Sequence, residues 1–95
     1  MSIKHFLDYI NHEKKYSHHT FTAYEQNLSD FQTYCSKNFT LKTIESVDYY
    51  HIRSWIIFLV EMQNSNRTIN RKISVLRSYY KFLLKTETIK ISPLK

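Results

Sequence analysis

Apolar residues recur every three or four positions in four stretches of this chain, and short polar stretches separate them. That spacing predicts four amphipathic α-helices. The first is expected to begin at Ser2, a good N-cap residue, and to fade over residues 13–15. The second is expected to begin after Ser17 and to end near Lys37 and Asn38, because asparagine tolerates the left-handed conformation of a C-cap.

The third predicted helix follows a connector over residues 39–47 and has apolar residues on nearly all sides. Three connector side chains are expected to enter the core: Phe39, Leu41 and Ile44. Ser46 or Asp48 is the expected N-cap, and the expected inner face consists of Ile52, Trp55, Ile56 and Leu59. The other sides carry Ile57, Phe58, Val60 and Met62. This pattern predicts a central helix packed by several neighbours, and a buried strand over residues 55–60 is the competing interpretation.

The fourth predicted helix has two stripes of opposite character, and Ser65 or Asn66 is its expected N-cap. One stripe is mostly apolar: Ile69, Ile73, Leu76, Tyr80 and Leu83. The other is polar and cationic: Arg67, Asn70, Arg71, Ser74, Arg77, Ser78 and Lys81. Because successive residues turn by about 100°, the two stripes begin about 200° apart. One side of this helix is therefore expected to face the core, and the other an anionic partner.

Composition narrows the fold class further. The chain of 95 residues has no glycine and one proline, and it lacks the Asn-Gly and Asp-Gly turns that most β-hairpins use. An all-β fold and a glycine-rich phosphate loop are therefore excluded. The single cysteine, Cys35, excludes an internal disulfide and fits a reducing compartment. The longest apolar run covers residues 55–60, which is too short to span a membrane, and no secretory signal is recognised, so no membrane association is expected.

Positive charge is concentrated in one part of the chain. The net charge is +6, from 14 basic and 8 acidic residues. Residues 65–85 contain six basic residues and no acidic one, so the rest of the chain is neutral. Such a stripe is typical of a protein that binds a polyanion, although a solvated helix face has the same composition. Basic residues also surround the start of the second helix, Lys14, Lys15, His18 and His19, and Thr20 lies beside them.

The sequence gives less support for a catalytic site than for a basic binding surface. The chain has five histidines, but no H-E-x-x-H motif occurs. His18 and His19 are adjacent on a helix, so their side chains diverge and are not expected to share a metal ion. Cys35 lies on the apolar stripe of the second helix and is expected to be a small core residue. No catalytic residue, metal ion or cofactor is predicted for this chain.

Two segments resemble motifs of the tyrosine recombinase family. Residues 17–28 resemble the S-x-x-T-x-x-A-Y-x-x-D-L segment, with Asn27 in place of the aspartate. Residues 65–83 resemble the S-x-x-T-I-N-R-x-L-S-x-L-R-x-F-Y-x-[YF]-L segment. Residues 91–94 stand where the family has Asn-Pro before its catalytic domain, with Ser92 in place of the asparagine. The chain is thus similar to the N-terminal core-binding domain of integrases and Xer-type recombinases.

The resemblance implies an all-α fold, a four-helix orthogonal bundle of the SAM-like integrase N-terminal type. In this family the domain forms half of a C-shaped clamp around DNA, and its second and fourth helices approach the major groove of the recombination half-site. Carried over to this chain, the DNA-binding residues are expected to be His18, His19, Thr20, Asn66, Arg67, Thr68, Asn70, Arg71, Ser74 and Arg77. The charge pattern adds Lys81.

The resemblance also implies how this chain relates to a longer enzyme. The family's catalytic arginine, lysine, histidine and tyrosine belong to a C-terminal domain, and their motifs are not found in this chain. Residues 1–88 are therefore expected to form a non-catalytic DNA-binding domain, and residues 89–95 to begin a linker. Expected partners are double-stranded DNA and other recombinase protomers, in a bacterial cytoplasm and at the nucleoid when bound to DNA. The isolated domain is expected to be monomeric.

Two other functions fit the same residues. A helical protein-interaction domain would use the basic face to bind an acidic partner and would show no preference for duplex DNA. A stand-alone helix-turn-helix regulator would dimerise and recognise a palindrome.

Overall fold

The computed structural model describes residues 2–14, 17–41 and 46–94, without the side chains of residues 2 and 14. Its four α-helices are α1 (Ser2–Tyr9), α2 (His18–Phe39), α3 (Tyr49–Glu61) and α4 (Asn66–Lys85). One π-helical turn, Ile10–Lys14, extends α1. The described part of the chain contains no strand, so the all-α prediction is confirmed and the strand interpretation of residues 55–60 is wrong.

Side-chain caps set the starts of three helices. The Ser17 hydroxyl accepts a hydrogen bond from the backbone N–H of Thr20, at 3.2 Å, and Ser65 makes the same bond with Thr68. Asp48, not Ser46, caps α3, and it forms a reciprocal capping box with His51. The cap predicted at Ser2 depends on a side chain outside the described residues.

The end of α2 lies slightly beyond its predicted position. Asn38 is still helical, and its side-chain amide donates to the carbonyl of Tyr34 at 2.9 Å. The helix continues through Phe39, whose ring packs edge-on against His51 at 4.6 Å between ring centroids. Thr40 then takes the left-handed cap conformation, with φ of 52°. Contact with α3 explains the difference, because it holds the Phe39 ring in the last helical turn.

The core is rich in aromatic side chains. Phe31 of α2 packs against Trp55 of α3, with ring centroids 4.8 Å apart. Phe6 of α1 meets Tyr79 of α4 at 5.4 Å. The predicted apolar stripe of α4 is buried, except that Ile73 is half-buried. The core also includes Val75 and Tyr79 of α4, which lie outside its predicted apolar stripe, and Val47, which is not among the three connector residues expected to enter the core.

The predicted surroundings of α3 are wrong. Ile52, Trp55 and Leu59 face the core, and Ile56 is half-buried, as expected. The rest of the apolar surface is open to solvent: Ile57, Phe58, Val60 and Met62 are 49%, 39%, 56% and 62% exposed. One face of α3 packs against α2 and α4, and no described residue covers the opposite face. The helix is therefore peripheral.

The connector and the tail both contact the core. Leu41 packs against it, Phe39 is half-buried, and Ile44 lies outside the described residues. After α4 ends, Ile89 and Leu94 also pack against the core. The boundary between domain and linker at residue 88 stays a prediction.

Candidate nucleic-acid interface

The outer face of α4 carries the candidate site. Six polar and basic residues of the predicted stripe are exposed on it: Arg67, Asn70, Arg71, Ser74, Arg77 and Lys81, here called the basic face. The cap at Ser65 starts the helix, and burial of the opposite stripe fixes its rotation about its own axis. Within the described residues, no carboxylate forms an ion pair with these four cations. Their charge is therefore available to an anionic ligand.

The dimensions of the basic face suit a duplex. Arg67 and Lys81 are fourteen residues apart, which corresponds to about 21 Å along a helix axis. A bare α-helix fits the major groove of B-DNA. Arginine and lysine side chains can neutralise phosphates, and Asn70 and Ser74, which lie between them, have short polar side chains of the kind that can hydrogen-bond to phosphate oxygens or base edges.

Not every predicted residue of α4 lies on this face. The Thr68 hydroxyl accepts a hydrogen bond from the Ser65 hydroxyl at 3.1 Å, so it belongs to the cap of the helix. Asn66 is exposed in the first turn. Lys72, one of the six charges counted in residues 65–85, is half-buried on another side, and its Nζ donates to Asn27 Oδ1 of α2 at 2.9 Å.

The start of α2 has the same local structure as the start of α4. Ser17 bonds both the backbone N–H and the hydroxyl of Thr20, as Ser65 does with Thr68. His18 and His19 are exposed, with ring centroids 6.3 Å apart, and Thr20 is half-buried. Free N–H groups in the first turn of a helix attract anions. The Lys14 side chain and Lys15, predicted to join this cluster, lie outside the described residues.

The contact between α2 and α4 depends on a residue that sequence reasoning did not identify. Asn27 is 8% exposed and, apart from aromatic side chains and Cys35, is the only buried residue of the described part of the chain with a polar side chain. Its Oδ1 accepts the hydrogen bond from Lys72, which links the two helices that carry the predicted DNA-binding residues. The sequence signal was its place in the recombinase-like motif, where the family has aspartate. A carboxylate there would also accept from lysine.

The described residues offer little for catalysis. No three histidine, cysteine, aspartate or glutamate side chains among them are grouped so that they could hold a metal ion. Burial raises the pKa of the Cys35 thiol to about 11, so it is protonated at neutral pH and is a poor nucleophile. No helix in the described part of the chain is long and apolar enough to cross a membrane.

Comparison with known proteins gives one family. The family model described as "Phage integrase, N-terminal SAM-like domain" matches residues 3–87. A protein of Listeria innocua named tyrosine recombinase XerC is 40% identical over 90 residues, which cover 95% of this chain and 30% of that protein. Its namesake in Bacillus subtilis is 34% identical over 91 residues, which cover 96% of this chain and 30% of that protein. The chain thus spans about 30% of the length of these relatives. No solved structure matches.

Proposed function

The chain belongs to the family of phage integrase N-terminal SAM-like domains, and on this premise we propose that it is the DNA-binding domain of a site-specific tyrosine recombinase. The observation that carries the proposal is the basic face of α4, which has four exposed cations and no carboxylate partner among the described residues. Its ligand is the recombination half-site in double-stranded DNA.

DNA binding has two components, which are charge contacts to the phosphates and polar contacts to the base edges. Arg67, Arg71, Arg77 and Lys81 displace counterions from the phosphates, which supplies affinity without sequence preference. Asn70 and Ser74 lie between them, where short polar groups contribute to site preference if they reach base edges. The capped start of α2, with His18, His19 and Thr20, adds a second contact to the phosphate backbone.

In the whole recombinase, the breaking and rejoining of DNA through a phosphotyrosyl intermediate takes place in a further, C-terminal domain. The N-terminal domain formed by the present chain contributes affinity for DNA, part of the site preference and contacts to neighbouring protomers. Residues 1–88 form the binding domain, and residues 89–95 begin the linker. The relatives are bacterial proteins, and the proposed place of action is DNA in the bacterial cytoplasm.

A salt titration tests the proposal. Fluorescence anisotropy with a labelled duplex of mixed sequence is measured at several salt concentrations, beside a labelled acidic protein. We expect duplex binding whose logarithm of affinity falls linearly with the logarithm of salt, with a slope of about −0.9 for each phosphate neutralised. Binding to the acidic protein without binding to the duplex would contradict the proposal and favour a protein-interaction domain.

A further inference from the structure

A cleft of about 630 Å³ opens between α2 and α3, on a side of the bundle that the proposed DNA contact does not use. Trp55 and Leu59, which are 1% and 6% exposed, form its floor, and Phe58 and Tyr34 form walls. The Tyr34 hydroxyl is fixed by a 2.7 Å hydrogen bond to the Ser54 hydroxyl. A cleft of this size, with aromatic walls and polar side chains from α2 and α4 around them, lies within the size range of ligand sites.

The side chains that line this α2–α3 cleft carry more positive than negative charge. Lys72 and Lys37 line it, and among the described residues neither pairs with a carboxylate. Lys72 is half-buried, and the neutral amide of Asn27 is its hydrogen-bond acceptor. The one carboxylate of the cleft, Asp30, accepts a hydrogen bond from Gln26 at 2.9 Å. A partly desolvated ammonium group with a neutral partner favours an anion, because a charge-assisted hydrogen bond is stronger than a neutral one.

We propose that the α2–α3 cleft binds an acidic segment of a partner protein. An apolar side chain of the segment packs against the exposed ring of Phe58, above the buried Trp55, and a neighbouring carboxylate bonds to Lys72 and Lys37. The apolar surface continues along α3 beyond the cleft, where Met62, one turn after Phe58, is 62% exposed. This extension suits a polypeptide, which covers a longer surface than a small organic acid does.

The cleft and the basic face of α4 are usable at the same time. Lys72 and Lys81 are nine residues apart, so they point about 180° away from each other around α4. A partner in the cleft therefore leaves the basic face free. The domain would then hold DNA on one side and recruit a protein on the other.

Fluorescence of the single tryptophan tests the proposal, because Trp55 lines the cleft. The probes are blocked twelve-residue peptides that carry a leucine or phenylalanine next to a glutamate, and a matched set has glutamine in place of the glutamate. We expect a saturable change in emission with glutamate peptides, and binding at least tenfold weaker with their glutamine counterparts. Equal binding of the two sets, or no saturable change with any peptide, would overturn the proposal.

Three variants locate the binding. Lys72→Gln keeps an amide near Asn27 and should weaken the best glutamate peptide by about tenfold, while Lys90→Gln removes the same charge from the exposed tail and should leave binding unchanged. If Lys72→Gln fails to fold, the exposed Lys37→Met variant tests the other rim and should weaken binding severalfold. Duplex binding of all three folded variants should match the wild type at a fixed salt concentration within about twofold.

Two outcomes would overturn the proposal. One is unchanged peptide binding in both cleft variants, and the other is binding of 4-phenylbutyrate, a small organic acid, as tight as that of the peptides. The peptide result is independent of the proposed DNA-binding function: if the wild-type domain does not bind duplex DNA, the peptide titrations still test the cleft.

Discussion

The outer faces of α3 and α4 differ sharply, although both helices bury their inner faces in the same core. α4 turns arginine, lysine and short polar side chains to solvent, whereas α3 exposes Tyr49, Ile57 and Val60. Charge on the first surface suits a polyanion, and apolar area on the second suits a protein. According to the two proposals above, the bundle keeps its DNA contact and its protein contact on separate sides, and the following experiments test that separation.

The largest expected effect is the loss of the core contact of α3. Trp55→Ala should lower the free energy of unfolding by about 3–5 kcal/mol, because the ring is 1% exposed and packs against Phe31. Ile57→Ala, on the outer face of the same helix, is the control and should cost less than about 1 kcal/mol. Urea denaturation measures both. Equal losses for the two variants would show that α3 has no distinct inner face.

The next effect concerns the hydrogen bond that ties α2 to α4. Asn27→Leu should destabilise the fold by about 1–3 kcal/mol, because it removes the acceptor of the half-buried Lys72 ammonium. Asn27→Asp should retain the wild-type stability or exceed it, because a carboxylate accepts the same bond. Thermal denaturation at neutral pH compares the two variants. A loss with Asn27→Asp as large as with Asn27→Leu would contradict the assigned contact.

A smaller loss is expected at the start of α4. Ser65→Ala removes the acceptor for the Thr68 backbone N–H and should cost about 1 kcal/mol. Ser36→Ala, an exposed position within α2, is the matched control, and there alanine should be neutral or slightly stabilising. Urea denaturation distinguishes them. If Ser65→Ala unfolds at the wild-type midpoint, the cap does not contribute.

The smallest effect should come from placing charge on the apolar outer face. Ile57→Lys combined with Val60→Lys adds two cations to α3, where both positions are exposed. Stability should change by about 0.5 kcal/mol or less, and duplex affinity by less than about threefold. Anisotropy titration checks the affinity. A large gain, comparable to the contribution of the basic face, would show that DNA binding follows net charge and not the position of charge.

How far the sequence predicts the fold depends on whether a contact is local. The cap at Ser17 and the stripes of α4 follow from residues one to four positions apart and were predicted, and Ser65 was one of the two residues expected to cap α4. Tyr79 was not, because its burial depends on Phe6, which approaches from another helix. Periodicity within one helix does not tell which neighbours cover its edges.

The outer face of α3 shows the same limit, but here residues predicted to be buried are exposed. An apolar residue in a helix has the same spacing whether a neighbouring helix covers it or solvent does, so Ile57 and Val60 suggested a central helix. Charge is less ambiguous, because an unpaired cation is costly to bury, and Arg71 and Arg77 are exposed as predicted. Lys72 is the exception, since its partner Asn27 lies 45 residues away in the sequence.

The most direct test removes two charges from each side of the bundle and compares duplex binding. Arg71→Ala with Arg77→Ala removes them from the basic face, and Arg53→Ala with Lys37→Ala removes them from exposed positions on α3 and α2. Anisotropy titrations over a range of salt should show that the first pair reduces the steepness of the salt dependence by about two and weakens binding at least tenfold. The second pair should leave the slope unchanged. Equal losses in the two pairs, or none in the first, would contradict the assignment of the basic face of α4 as the DNA-binding surface.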